Sequence, residues 1–244
     1  MNELLIIEET DFHSAWSRMV HIMLRDGTKI VIGSQAHPKP ITEMTTFVSL
    51  TGNAIKQIEK YEIHPQFPFK FVDSYANEFT YDYQKEYEKN PSKQFVYTYF
   101  ERLARSKVMK GFTLAPYDQL MAMCQCLFDQ VESGISSNRC QATTWMPMVD
   151  TLSPEPPCWQ RLWIHHVGDN KVDVHLDWRS RDLFSAWQAN LIAIVQMLNK
   201  YVIHPNGCKI VRIVEMIDSL HIYESDRTEA EAVKITQVNP LMRR

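Results

Sequence analysis

The chain has 244 residues, 45% hydrophobic and 23% charged, with a formal net charge of −3. That is the composition of a globular protein long enough for a sizeable core, and it excludes the disordered and collagen-like classes. With a pI near 6.3 there is no basic footprint for nucleic acid or an anionic membrane, so any phosphate must be held by a few local arginines. No apolar run approaches the roughly 18 residues of a membrane helix. The start, Met1-Asn2-Glu3-Leu4, lacks the basic region of a signal peptide. The five cysteines (Cys124, Cys126, Cys140, Cys158, Cys208) show neither zinc nor disulfide spacing, which fits a reducing cytoplasm. Neither a Gly-x-Gly-x-x-Gly nor a P-loop is present.

Ser14 to Leu24 repeats apolar residues at helical spacing, and Asp26-Gly27 turns into the β-branched run Thr28 to Gly33. Pro38 and Pro40 read as a loop. Ile41 to Ile58 reads as a strand, a break at Gly52-Asn53, and a helix. Residues 61–100, rich in Tyr, Phe and Pro, read as loops and short helices. Pro116 to Val131 predicts an amphipathic helix with Leu120, Met121, Met123, Cys124, Leu127 and Phe128 on one face and Gly134 past its end. Strands are expected at Cys140–Met146 and Cys158–Val167, the latter joined by the turn Gly168-Asp169-Asn170 to Val172–Trp178. Ser185–Tyr201 predicts a second long helix, Lys209–Ile217 a strand ending at Asp218, and Glu224–Val233 a polar helical tail. Without repeats or linkers, the pattern predicts one α+β domain over residues 1–244, a mixed sheet covered by long helices.

Pro156-Pro157-Cys158 is the stretch with chemical content. A thiol after two prolines sits on backbone with two fixed φ angles, so it is aimed before a ligand arrives. Arg179, past the next alternating run, can lower a thiol pKa and grip an anion. A cysteine in an apolar strand is ordinarily a small buried hydrophobe; the prolines and the arginine mark Cys158 instead as a nucleophile beside a phosphate anchor. Cys124 and Cys126, two apart on a helix, do not face each other and read as inert. Asp173, His175 and Asp177 alternate with Val172, Val174 and Leu176, the pattern of a solvent-facing strand, and no metal site is expected. The aromatic cluster from Phe67 to Tyr99 reads first as core and second as a stacking platform.

Pro156-Pro157-Cys158 and Arg179-Ser180-Arg181-Asp182, followed in order by Asn190, His221 and Tyr223, resemble the thymidylate synthase family, which includes the pyrimidine nucleotide hydroxymethylases. The resemblance runs from about Tyr97 to Asp226. It takes in Ser137-Asn138-Arg139 leading to Trp145-Met146-Pro147, while Tyr97-Thr98-Tyr99 and Ala186 to Asn190 look like the short archaeal type. It implies that Cys158 adds to C6 of a uracil ring, making C5 nucleophilic toward an activated one-carbon unit. It implies a substrate-binding set of Arg139, Arg179, Ser180, Asp182, Asn190, His221 and Tyr223, with Arg139 donated across a homodimer. Arg179, Arg139 and Ser180 would hold the nucleotide phosphate, and His221 and Tyr223 the sugar hydroxyl. Asn190 would donate to uracil O4 and accept from N3–H, whereas family members acting on deoxycytidylate carry aspartate there. Glu43 resembles the catalytic glutamate that moves protons through water; as an edge carboxylate facing water it has a simpler reading. The implied activity is dTMP synthesis from dUMP with 5,10-methylenetetrahydrofolate or a related methylene-pterin. The rivals are 5-hydroxymethylation of a pyrimidine nucleotide and non-catalytic nucleotide binding.

The departures from the family are local. Trp159 replaces the histidine after the nucleophile, Trp178 the glutamine before the anchoring arginine, and Ala189 a phenylalanine. Asn138-Arg139 stands for a double arginine. Lys39 is the stand-in for a first-strand arginine, and the family's small apolar tail is not evident in Asn239 to Arg244.

Overall fold

Leu5–Glu9 forms strand β1, and Asp11 caps helix α1 (Phe12–Asp26) by accepting from the Ser14 amide at 2.8 Å. The helix buries Trp16, Met19, Val20 and Met23, the face its spacing predicts. A Cβ on Gly27 would lie 2.4 Å from the Met23 carbonyl oxygen and 2.5 Å from Thr42 Cγ2. Glycine therefore lets the chain turn at once into β2 (Thr28–Ser34). The computed structural model from which these elements are described covers residues 4–34, 37–89, 97–110 and 113–236.

The expected loop at Pro38 and Pro40 is instead the start of β3 (His37–Thr51), paired with β2 through Val31–Pro40 and Gly33–Pro38. Pairing of β3 with its other neighbour begins only at Ile41, so the prolines sit where one side of the strand is open and no ladder bond is lost. Short helices follow: α2 (Asn53–Glu59), α3 (Val72–Asn77), α4 (Tyr81–Lys89) and α5 (Tyr99–Ala104). A two-stranded ribbon, β4 (Ser106–Lys110) and β5 (Thr113–Tyr117), takes up Pro116. The next helix, α6 (Gln119–Ser133), accordingly starts later than predicted, after its Asp118 cap. Leu120, Met123 and Leu127 are buried, but Met121 is 68% and Phe128 47% exposed, so the apolar face of α6 is wider than the surface this chain lays over it.

The sheet is completed by β6 (Gln141–Thr143), a turn of helix α7 (Pro147–Asp150), β7 (Trp159–His166), β8 (Lys171–Trp178) and β9 (Arg181–Asp182). Helix α8 (Trp187–Leu198) and β10 (Lys209–Tyr223) follow, and α9 (Arg227–Glu231) closes the described chain. The β7–β8 hairpin turns through Gly168, Asp169 and Asn170 at φ of 86°, 48° and 52°, residue types that tolerate the left-handed region. Past α8 the chain continues as a π-helical turn, Asn199–Ile203. Strand β10 does not end at Asp218; it shifts register between Ile217 and Leu220 and then pairs on to Tyr223.

Strand order is β1-β3-β10-β8-β7-β6, with β2 beside β3 and β9 beside β10. The sheet is mixed: β1 runs parallel to β3, and β8 and β9 to β10, the other neighbours antiparallel, which is the α+β class expected. One face packs under α1, α6 and α8 in a continuous hydrophobic cluster that includes Trp16, Leu127, Ile164, Val174, Ile194 and Ile213. On the opposite face two register rows cross the sheet: Ile6, Phe47, Met216, Asp177, Arg161, Thr143, and Glu8, Ser49, Val214, His175, Trp163, Gln141. Most of these side chains are partly or fully exposed, so this face is open in the single chain. Asp173, expected to face solvent, is buried because Arg212 donates to it, through Nε at 3.0 Å. No helix among the described residues is long and apolar enough to cross a membrane, and none of their His, Cys, Asp and Glu groups could hold a metal ion.

Candidate active site

The site grows from the end of the β7–β8 hairpin. Arg179, the residue after β8, accepts nothing and donates three times into the loop that precedes β7: Nε to the Pro157 carbonyl (2.9 Å), and Nη2 to the Pro156 carbonyl (2.6 Å) and to Cys158 Sγ (3.6 Å). Its amide also donates to the Cys158 carbonyl at 3.0 Å. Proline has no N–H to offer, and its fixed φ aims the two carbonyls at the guanidinium. The predicted thiol–arginine pair is thus formed within the chain. Burial, however, raises the Cys158 thiol above its ordinary pKa; Arg179 and a hydrogen bond with Tyr99 pull it down without cancelling the rise.

Three tyrosines surround the thiol closely enough for its charge to act on them, Tyr97, Tyr99 and Tyr223. Burial holds all three above the ordinary phenol range, Tyr97 at about 12. Tyr99 stands edge-on to Trp159 (5.7 Å) and Trp178 (6.1 Å), which stack on one another as cross-strand partners. The two tryptophans that depart from the family pattern are therefore one device, a platform that seats Tyr99 beside the Cys158 thiol.

The register of three strands lines up the next group. Glu43 of β3 is opposite His221 of β10, and His221 is opposite Asp182 of β9. Glu43 is not on an edge: β3 is paired on both sides there, and Ser219 Oγ donates to its Oε2. His221 is buried; its Nδ1 meets the Ser219 carbonyl at 3.2 Å, and its Nε2 has no partner among the described residues. Burial lowers its pKa, so the ring is neutral. A carbonyl can only accept, so Nδ1 carries the proton and Nε2 is left to accept from a ligand hydroxyl. The Tyr223 ring lies edge-on to His221 at 4.9 Å. Burial raises Asp182 to about 6, opposed by hydrogen bonds from the Ser185 amide (2.9 Å) and from Phe184.

Asn190, in the first turns of α8, accepts from the Tyr75 hydroxyl at 2.6 Å through Oδ1. A cleft of about 240 Å³ lies on the side of Tyr75, Tyr97 and Tyr99, lined by these with Phe79, Glu78 and Glu155 among others. Ser180 sits partly exposed between Arg179 and β9. Arg139 does not join the group. It is exposed and bonded to Ser137 Oγ (3.2 Å), and the carbonyl after it, of Cys140, pairs with Ile164, six residues along from Cys158. At ~3.3 Å per strand residue that is about 20 Å from the thiol. Tyr75, Tyr99, Glu78 and Glu155 were not singled out as site residues from the sequence. Tyr99 stood there only within the Tyr97-Thr98-Tyr99 resemblance, and nothing in the spacing of the others separates lining from packing.

A family model described as "Thymidylate synthase" matches residues 9–241. The chain belongs to the thymidylate synthase family. It is similar to a protein of Methanothermobacter thermautotrophicus named "Putative thymidylate synthase", 26% identical over 231 residues, covering 93% of this chain and 97% of that one. A protein of the same name from Methanosarcina barkeri is 31% identical over 137 residues, 55% of this chain and 56% of its own length. The chain is thus an enzyme of thymidylate synthase type, a transferase of one-carbon units to C5 of a pyrimidine nucleotide. Its family generally uses a methylenetetrahydrofolate-type cofactor. For such a cofactor the present residues fit: the aromatic-lined cleft, bounded by the Tyr97 and Tyr99 that stand beside the Cys158 thiol, suits a flat ring.

Proposed function

We propose that this enzyme makes dTMP from dUMP through a covalent adduct of Cys158 with uracil C6. The observation that carries the reading is the Arg179 guanidinium, which reaches the thiol and both prolyl carbonyls at once. An arriving phosphate dianion offers Arg179 a stronger, charge-assisted partner than those carbonyls, with Ser180 as a neighbouring hydroxyl. His221 Nε2 and the Tyr223 hydroxyl take the sugar hydroxyl, and Asn190 reads the base. With the thiol held up by burial, its proton passes through water to Glu43 as sulfur attacks C6, favoured by Arg179 and Tyr99 beside the developing charge. Glu43, tied to Ser219, handles protons at the ring through water. Asp182, Tyr75 and Tyr97 would hold the methylene-pterin, which when bound supplies the one-carbon unit and the hydride.

The active form on this reading is a homodimer. The open sheet face, with Ile6, Phe47, Trp163 and Met216 in its rows, gives a second copy an apolar seat. Arg139, too far from its own thiol, would then complete the partner's phosphate site. All five cysteines are free, as a thiol nucleophile working in a reducing cytoplasm requires.

Tritium release from C5-labelled dUMP with methylenetetrahydrofolate, followed together with dihydrofolate absorbance, tests the activity. Release with dihydrofolate is the expected result. Release without it means water captures the exocyclic carbon, the hydroxymethylase outcome. No release from uridine or cytidine nucleotides with any methylene-pterin refutes the reading.

A further inference from the structure

Strand β10 carries one residue more than its partner β3 just before His221. From Ile217 to Leu220 it advances three residues, while β3 advances two, from Thr46 to Met44. Such a bulge takes a stretch out of the ladder and re-aims its polar groups. Here the stretch is Asp218-Ser219, and β3 holds it from the side. Thr45 Oγ1 donates to the Asp218 carbonyl at 2.9 Å, and Glu43, two residues before Thr45, accepts from Ser219 Oγ.

Ser219 thereby meets two functional neighbours through separate atoms. Its hydroxyl donates to Glu43 Oε2, and its carbonyl accepts from His221 Nδ1 at 3.2 Å. A carboxylate oxygen and a peptide carbonyl are both acceptors, so each bond has one sense. Glu43 and His221 are also register partners across β3 and β10. Neighbours of these types can pair directly, imidazole N–H to carboxylate. The bulge residue instead takes one bond from each, so neither functional group is spent on the other.

We propose that Ser219 is a positioning residue for the transfer reaction: its hydroxyl holds the Glu43 carboxylate for proton transfer at the base, while its carbonyl separately holds the His221 imidazole for the sugar. This rests on the reading of Glu43 as the group that moves protons through water. Because the two duties use different atoms of one residue, substitution separates them. Ser219→Ala deletes the hydroxyl and keeps the carbonyl, so it reaches the chemistry and spares nucleotide binding. The φ of Ser219 lies outside the left-handed region, and other residues can take the same backbone.

The test measures kcat for one-carbon transfer to dUMP and, by calorimetric titration without cofactor, the Kd of dUMP. Ser219→Ala should lower kcat by about tenfold, a share of the ~10²–10⁴ that a general acid–base group supplies. Its Kd should stay within about twofold of the parent's. Ser219→Thr restores a hydroxyl and should bring kcat back. In a Glu43→Gln background Ser219→Ala should lower kcat no further, because the carboxylate it positions is already gone. The proposal is overturned by parental kcat in folded Ser219→Ala, by a Kd that weakens as much as kcat falls, by no recovery in folded Ser219→Thr, or by equal losses in both backgrounds. If Ser219→Ala does not fold, Ser219→Cys keeps the size with a weaker donor and is judged by the same two quantities. A parent that does not bind dUMP, or binds it without turnover, refutes the reading of the function itself. An active parent beside an equally active Ser219→Ala refutes only the role of Ser219.

Discussion

Directly behind the site, Arg181 and Glu215 form an ion pair with no exposed side-chain surface on either partner. Glu215 also accepts from Trp187 Nε1 at 2.8 Å, and Arg181 donates to the Trp187 carbonyl at 2.9 Å with its guanidinium 4.0 Å from the Trp178 ring centre. Burial opposes the charge on Arg181, so the pair exists only while each partner cancels the other. Glu215→Gln keeps the size and the acceptor for Trp187 but removes the counter-charge. Leaving a guanidinium alone in this setting costs about 3–5 kcal/mol, a large part of the ~5–15 kcal/mol that holds a typical domain together. For a chain of this size that is a fall of roughly 6–20 °C in Tm. Arg181→Met combined with Glu215→Gln removes both charges while keeping the acceptor for Trp187, and should unfold within about 1 kcal/mol of the parent, or later. Urea unfolding of the three proteins followed by tryptophan fluorescence measures this. Arg181 is paired with Leu220 beside Asp182 and His221, so nucleotide affinity should fall in the single variant and return in the double one. A Glu215→Gln loss below 1 kcal/mol, or a double variant as damaged as the single, would refute the argument.

Asp182 keeps its proton up to about pH 6 in the folded chain, above the ordinary carboxylate value, so folding takes up a proton between about pH 4 and 6. Its contribution to stability is therefore greatest at low pH and is lost as pH rises through 6; Asp182→Asn should gain stability relative to the parent between pH 4 and pH 7 in parallel urea titrations. The segment leading to Cys158 hangs on Asp150, which takes two bonds from Arg102 (2.8 and 3.2 Å) and one from the Met146 amide (2.6 Å). Asp150→Asn should cost about 3 kcal/mol and speed proteolysis within residues 147–157, measured by limited digestion. If the protein is the proposed homodimer, Cys158→Ser and Arg139→Ala proteins should each lack turnover, Cys158→Ser while still binding nucleotide, and subunit exchange between them should restore activity in mixed dimers that hold one intact site. If exchange is complete and no activity returns, Arg139 does not act across the interface.

Elements whose pattern repeats inside the element were legible from the sequence. Trp16, Met19, Val20 and Met23 announce α1, and Gly168-Asp169-Asn170 between alternating runs announces the β7–β8 hairpin. The Cys158–Arg179 contact followed, because a hairpin fixes which residues meet at its open end. What was hidden depends on neighbours far along the chain. Asp218-Ser219 looks like a strand end because the bulge breaks the alternation, although pairing resumes at Leu220. Pro38 and Pro40 look like a loop until the edge beside them is known to be open. Met121 and Phe128 extend an apolar face that α6 does not bury within this chain. Arg181 and Glu215, 34 positions apart, carry no sequence sign of their pairing, which exists only because β9 and β10 bring both beneath α8. Tyr75 and Tyr99 differ from other aromatic residues only in what their hydroxyls touch.

The two halves of the site are assembled over very different spans of chain. Arg179 closes on Pro156, Pro157 and Cys158 across 21 to 23 residues, whereas the bond from Ser219 to Glu43 joins residues 176 apart. Closing a longer loop costs more entropy, and sheets dominated by distant pairings fold slowly. Strand β10 is the last strand among the described residues and the one between β3 and β8, so β1–β3 and the β6–β8 group have no common edge until it has been synthesised. The thiol and its arginine can meet before β10 has been made; the carboxylate and the histidine cannot. On the proposed reading the site is completed only when β10 docks, and a chain cut short of β10 would hold an aimed thiol with nothing to complete it.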